Sequence, residues 1–208
     1  MNTEINTAVQ RTRQYWYVDG LSEMALGGIC LVLALYFFAS ASLLAGSFLA
    51  ELLNMLFLLI LVGSSLLARR IVNRLKTRLT YPRTGYVAYR HATGWRRMAV
   101  AGTAVLISLS VTALLVASPV AISWMPAVTG LVFGATGLFM GYRIGLLRFY
   151  LLGQGSLLLG GAASLSGLEN ISALAVYYAL MGLALLLSGG LTLRSYLRET
   201  SSPEEATA

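Results

Sequence analysis

Apolar runs long enough to cross a bilayer follow one another along this chain, and no other feature restricts its fold so severely. They lie at about residues 21–44, 52–68, 98–117, 124–140, 149–165 and 171–193. A hydrocarbon core about 30 Å thick takes about 20 apolar residues in a helix. Inside lipid the backbone has no water to bond to, so each run must satisfy its own N–H and C=O groups as a helix. The charge content agrees, since 11% of the 208 residues are Asp, Glu, Lys or Arg, against about 25% in soluble domains. The expected fold is an all-α integral membrane protein of about six transmembrane helices in three helical hairpins. The choice between five and six spans turns on residues 141–148, a short and fairly apolar link.

Charge sets the orientation of such a bundle. Residues 69–97 carry nine of the fifteen Lys and Arg residues and no carboxylate. With residue 1 inside, the inner segments collect Arg11 and Arg13, the block at 69–97, Arg143 with Arg148, and Arg194 with Arg198. That is every basic residue in the chain, while Glu51 and Glu169 fall at outer turns. Because cytoplasmic loops carry the excess of Lys and Arg, the expected setting is a plasma (inner) membrane with both termini cytoplasmic. Fourteen arginines to one lysine fits a GC-rich bacterial genome. Residues 1–20 read as an N-terminal cytoplasmic or interfacial segment, in which Tyr15, Trp16 and Tyr17 suit headgroup depth. Residues 21–194 form the transmembrane domain and 195–208 a short polar tail. The polar stretch before residue 21 is too long to belong to a cleavable signal peptide. Orientation accounts for the net charge of +7, so nucleic acid, which such a charge would attract on a soluble protein, is not an expected partner.

The basic block has internal order. Leu67, Ile71, Leu75 and Leu79 recur every fourth residue, with Arg70, Arg74, Lys76 and Arg78 between them. The second span is therefore expected to continue as an amphipathic helix along the inner surface. Tyr81-Pro82 ends it, because proline disfavours helix at the residue before it. Pro82-Arg83-Thr84-Gly85 is turn chemistry, and the strand-like residues 86–89 beyond it predict a small hairpin against the headgroups. Arg69, Arg70, Arg74, Lys76, Arg78, Tyr81, Arg83, Tyr86, Arg90, Arg96 and Arg97 make up the expected contact surface for anionic lipid headgroups or a cytosolic protein. Each Lys or Arg near an anionic leaflet contributes about 1 kcal/mol.

Two carboxylates fall where the first span begins. Asp19 and Glu23 are four residues apart and share a helix face. Glu23 lies about 10 Å deeper than Trp16 at 1.5 Å per residue. A carboxylate at that depth must be paired, protonated or facing a cavity. Arg143, Arg148 and members of the central block are the expected counter-ions. In the fourth span Gly130, Gly134, Gly137, Gly141 and Gly145 advance by three or four residues and predict one close-packing face. That face serves helix packing within the chain or a homodimer seam.

Enzyme chemistry finds little footing. His91 is the only histidine and Cys30 the only cysteine, which excludes a His-dependent metal site and an internal disulfide. No glycine-rich phosphate loop precedes Lys76, the sole lysine. Neither a metal nor a cofactor is expected. The expected function is that of a non-enzymatic polytopic membrane protein whose basic cytoplasmic loop docks anionic headgroups or a cytosolic regulatory partner. The alternative is a small transporter or exporter that uses Glu23, with Asp19, as a proton- or cation-linked site.

Overall fold

The computed structural model describes residues 17–44, 46–80 and 123–199. Five α-helices carry the chain: α1 (Leu21–Ser42), α2 (Phe48–Leu75), α3 (Met125–Ile144), α4 (Leu147–Leu165) and α5 (Asn170–Glu199). A π-helical turn, Lys76–Thr80, extends α2. Among the described residues there is no strand. Four of these helices, α1, α2 with its extension, α3 and α5, are long and apolar enough to cross a membrane. The run near 149–165 does form a helix, α4, but Gly153, Gln154, Gly155, Ser156, Gly160 and Gly161 hold its hydropathy below that of the other four. The expected third span at 98–117, the hairpin at 82–89 and the aromatic pair Tyr15 and Trp16 lie outside the described residues. Leu79 and Thr80 lie in the π-helical turn, so the helical path expected to end at Tyr81-Pro82 is followed as far as Thr80. The hydroxyl of Thr77 bonds back to the carbonyls of Asn73 and Arg74 within the same helical path.

Local sequence explains the helix ends. Ser47 accepts a bond from the Ala50 N–H and caps α2, satisfying a donor that would otherwise be orphaned. Pro126 stands in the first turn of α3, where its missing N–H costs nothing. Gly145 closes α3 at φ +77°, donating its N–H to the Gly141 carbonyl. It is thus a helix terminator and not a fifth member of the packing face. At 28 residues α2 is about 42 Å long, more than a hydrocarbon core requires.

The helices pack as antiparallel neighbours, because contact positions fall along one helix as they rise along the other. In α3 and α4 the matched positions are Gly130 with Gly160, Gly137 with Gly153, and Gly141 with Tyr150. In α1 and α5 they are Gly20 with Gly189 and Gly27 with Gly182. α2 lies against α1, where the Tyr36 hydroxyl donates to Asn54 Oδ1 at 2.9 Å; none of its residues is fully buried. α4 joins α5 through Ser156 and Tyr177, whose hydroxyls are 2.8 Å apart, while Ser156 also donates to the Gly130 carbonyl. Cys30, Ala163, Tyr177, Met181 and Leu185 form the core around that contact. Lipid is as apolar as leucine, so such helices gain from close van der Waals packing more than from leaving water.

The glycine contacts are close enough to test singly. A Cβ on Gly130 would stand 2.7 Å from the Ser156 carbonyl oxygen and 2.8 Å from Gly160 Cα, both backbone atoms that cannot rotate aside. Gly130→Ala should cost about 1–3 kcal/mol and lower the thermal unfolding midpoint in detergent. Gly155, which faces open space, should accept alanine with unchanged or slightly raised stability. A Gly130→Ala protein that melts with wild type would mean that α3 and α4 do not approach this closely.

Candidate functional site

The charged end of the bundle is built from the start of α1. Gly20 precedes α1 with φ +67°, a conformation that suits glycine, and its missing side chain lets the backbone lie against the Gly189 carbonyl of α5. Asp19 Oδ1 accepts the Leu21 N–H at 3.2 Å and so caps the first turn. Glu23 follows one turn on, at the positive end of the helix dipole. Both carboxylates are shut away, Asp19 at 0% and Glu23 at 4% exposure.

Each meets a cation from another helix. Arg148, at the start of α4, sets its Nε 2.9 Å from Glu23 Oε1. The second oxygen, Oε2, accepts from Ser188 Oγ of α5 at 2.9 Å. The guanidinium also donates to Thr192 Oγ1 at 2.7 Å and to the Tyr17 carbonyl. Thr192 returns its own hydrogen to the Ser188 carbonyl at 2.8 Å. The Arg148 guanidinium lies 5.3 Å from the centre of the Phe149 ring, which meets Tyr17 edge-on at 5.6 Å. Lys76 closes the other pair, its Nζ 3.2 Å from Asp19 Oδ2 at the junction of α2 and its π-helical turn. Two acids and two bases therefore cancel within one cluster that joins α1, the end of α2, α4 and α5.

The arrangement sorts the residues singled out from sequence. Asp19, Glu23, Arg148 and Lys76 come together; Arg143 does not, and stands exposed at the end of α3 without an ion pair among the described residues. Lys76 departs from its expected place on a solvated contact surface. It is 2% exposed, because leaving Asp19 unpaired in an apolar setting would cost more than drawing the one lysine inward. Arg69, Arg70, Arg74 and Arg78 are exposed. Tyr81, Arg83, Tyr86, Arg90, Arg96 and Arg97 lie outside the described residues. Gly130, Gly134, Gly137 and Gly141 all face α4. Ser188 and Thr192 were not anticipated, although two hydroxyls four apart beside Gly189 in an apolar run mark one small, polar helix face.

Every described Lys and Arg sits at this end of the bundle: the last turns of α2, α3 and α5 and the first of α4. Glu51 and Glu169 sit at the other. Among the described residues no three His, Cys, Asp or Glu side chains are grouped to hold a metal. A groove of about 290 Å³ opens beside Glu23 between α1 and α3 and is lined almost wholly by apolar side chains. No protein-family model, curated protein or solved structure matches the chain. Four membrane-length apolar helices are the features of a multi-pass membrane protein.

Removing one partner of such a pair leaves a buried charge alone. Glu23→Gln should destabilise the protein by about 3 kcal/mol, read as a drop in thermal midpoint. Arg148→Gln in the same chain should recover part of that loss. Equal stability of Glu23→Gln and wild type would show that the pair is not a structural tie.

Proposed function

We propose that this is a non-enzymatic polytopic inner-membrane protein whose basic cytoplasmic segment docks anionic lipid headgroups or an acidic cytosolic regulatory partner. The observation that carries the reading is how charge is divided. The acids inside the bundle are already matched by Arg148 and Lys76, so they draw nothing from the remaining arginines. Arg69, Arg70, Arg74 and Arg78 stay exposed on the basic end of α2. At that end of the bundle Glu199 is the only exposed carboxylate among the described residues, and Ser195 bonds it. A row of exposed arginines, without an ion pair among the described residues, at the foot of a membrane helix is suited to phosphates or carboxylates outside the chain.

In this reading the basic end faces the cytoplasm, as the positive-inside bias requires. The alternative, transport through Glu23, draws on the groove beside that residue. The apolar lining of the groove, with the Arg148 ion pair and the Ser188 bond of Glu23, supports the structural role more strongly. Substrate-driven proton movement in proteoliposomes, lost in a folded Glu23→Gln protein of normal stability, would reverse that choice.

Two measurements test the proposal. In a Cys30→Ala background, an impermeant thiol reagent should reach a cysteine placed at Glu51 from outside and fail to reach one at Thr77. The opposite pattern would overturn the orientation. An environment-sensitive fluorophore on Thr77→Cys should report burial in phosphatidylglycerol nanodiscs at low salt. The signal should fade towards 1 M salt, where the Debye length is about 3 Å, and vanish when Arg69, Arg70, Arg74 and Arg78 all become glutamine. Equal signals in phosphatidylcholine and phosphatidylglycerol would sink headgroup docking, and an unchanged signal in the quadruple variant would move it off these arginines.

A further inference from the structure

The groove beside Glu23 has the shape and chemistry of a lipid site. α1 and α3 share no extended contact, and the gap between them is walled by Leu26 on one side and Val132, Thr136 and Met140 on the other. Leu152 of α4 and Leu185 of α5 line its floor. It opens sideways to the bilayer, since Leu26 and Val132 are 40% and 44% exposed. Its 290 Å³ runs along the roughly 12 Å of α3 from Val132 to Met140, room for a stretch of one hydrocarbon chain.

The head of the groove supplies the other half of the ligand. Val132, Thr136, Met140 and Arg143 fall on one stripe of α3 at helical spacing. Arg143 therefore continues the groove wall about 4.5 Å beyond Met140, at the charged end. It is exposed and makes no ion pair among the described residues. Tyr142 beside it is 81% exposed, which suits the headgroup level of a bilayer, where aromatic rings collect. Arg148 cannot serve in its place, because Glu23, Thr192 and the Tyr17 carbonyl engage it. We infer that the groove is a binding site for an anionic glycerophospholipid, one acyl chain lying between α1 and α3 and the phosphate held by Arg143. The site uses no residue of α2 or of the basic segment, so it stands apart from the function proposed above.

Native mass spectrometry of the full chain, delipidated and titrated with dioleoyl-phosphatidylglycerol or dioleoyl-phosphatidylcholine, tests the site. Wild type should retain phosphatidylglycerol in preference. Arg143→Gln should lower its affinity about tenfold, the loss of one charge-assisted hydrogen bond, and leave phosphatidylcholine nearly unchanged. Thr136→Trp, at an exposed position of the wall, should weaken both lipids by filling the groove. Dihexanoyl-phosphatidylglycerol, with the same headgroup and short chains, should bind less tightly than the dioleoyl form. Both variants should keep the wild-type melting midpoint, since neither residue is buried. Any one of three results would overturn the inference: an undiminished preference in Arg143→Gln, undiminished binding in Thr136→Trp, or loss of the preference on replacing the four α2 arginines. A dimer that Thr136→Trp dissolves with no change in lipid content would overturn it too, by giving the groove to a second copy.

Discussion

A carboxylate inside a bilayer needs a cation close by, and the charged end of this bundle follows from two carboxylates that find one. Glu23 draws the start of α4 to α1 through Arg148, and the same guanidinium reaches α5 at Thr192 and the chain before α1 at Tyr17. Asp19 draws in the end of α2 through Lys76. Helices packed only by dispersion could slide by a turn at little cost, since one apolar contact resembles the next. An ion pair with shared hydroxyls has one register. That specificity, more than any net stabilisation, is what a buried pair contributes here, because desolvation offsets most of its attraction.

Close approach and charge pairing depend on each other. Glu23 reaches Ser188 only because the neighbouring backbones of α1 and α5 come together at Gly20 and Gly189. A methyl at Gly189 would meet the Gly20 carbonyl at 2.6 Å, and the spacing that forces on the helices is the spacing Ser188 would have to bridge. Further along, Gly27 and Gly182 hold the same separation. On the other pair of helices, Gly130, Gly134, Gly137 and Gly141 let α3 lie against α4 without any buried charge. The bundle thus joins α3 to α4 by glycines with hydroxyl bonds, and α1 to α5 by glycines with the Ser188–Glu23 bond, while the ion pair ties α1 to α4.

Much of this was legible in the residues, for reasons of period and depth. Glycines spaced by three and four mark a helix face whatever it meets, so the packing stripe of α3 could be read, though not its partner. Gly145 looked like a fifth member because spacing carries no information on φ; its position before Leu146-Leu147, where one helix stops and another starts, was the sign of a terminator. Glu23 announced itself by its depth and Arg148 as a counter-ion by its level, but Arg143, at the same level, could not be told apart from it. Which of two arginines points inward is a matter of helix rotation, fixed by α3 turning its glycines to α4. Lys76 was misread because an amphipathic pattern assigns every polar residue to the solvent side. Neither Asp19's reach nor the π-helical turn that follows Leu75 is visible in that pattern. Ser188 and Thr192 escaped because hydroxyls are common in membrane helices, where most bond only to their own turn.

The choice of cation follows the geometry each carboxylate presents. Arg148 pairs its charge with Glu23 while its two terminal nitrogens donate to a hydroxyl and a main-chain carbonyl, which takes the several nitrogens of a guanidinium. Lys76 enters a tighter place, with both it and Asp19 almost wholly removed from the surface. A compact ammonium on a slender stem suits such a place better than a broad guanidinium. In a chain with fourteen arginines, the one lysine is the basic residue whose charge lies deepest among those described. The remaining described arginines at the same end stand apart. They are exposed and make no ion pair among the described residues. The division between one buried lysine and many surface arginines thus separates the charges that tie helices together from those that face outward.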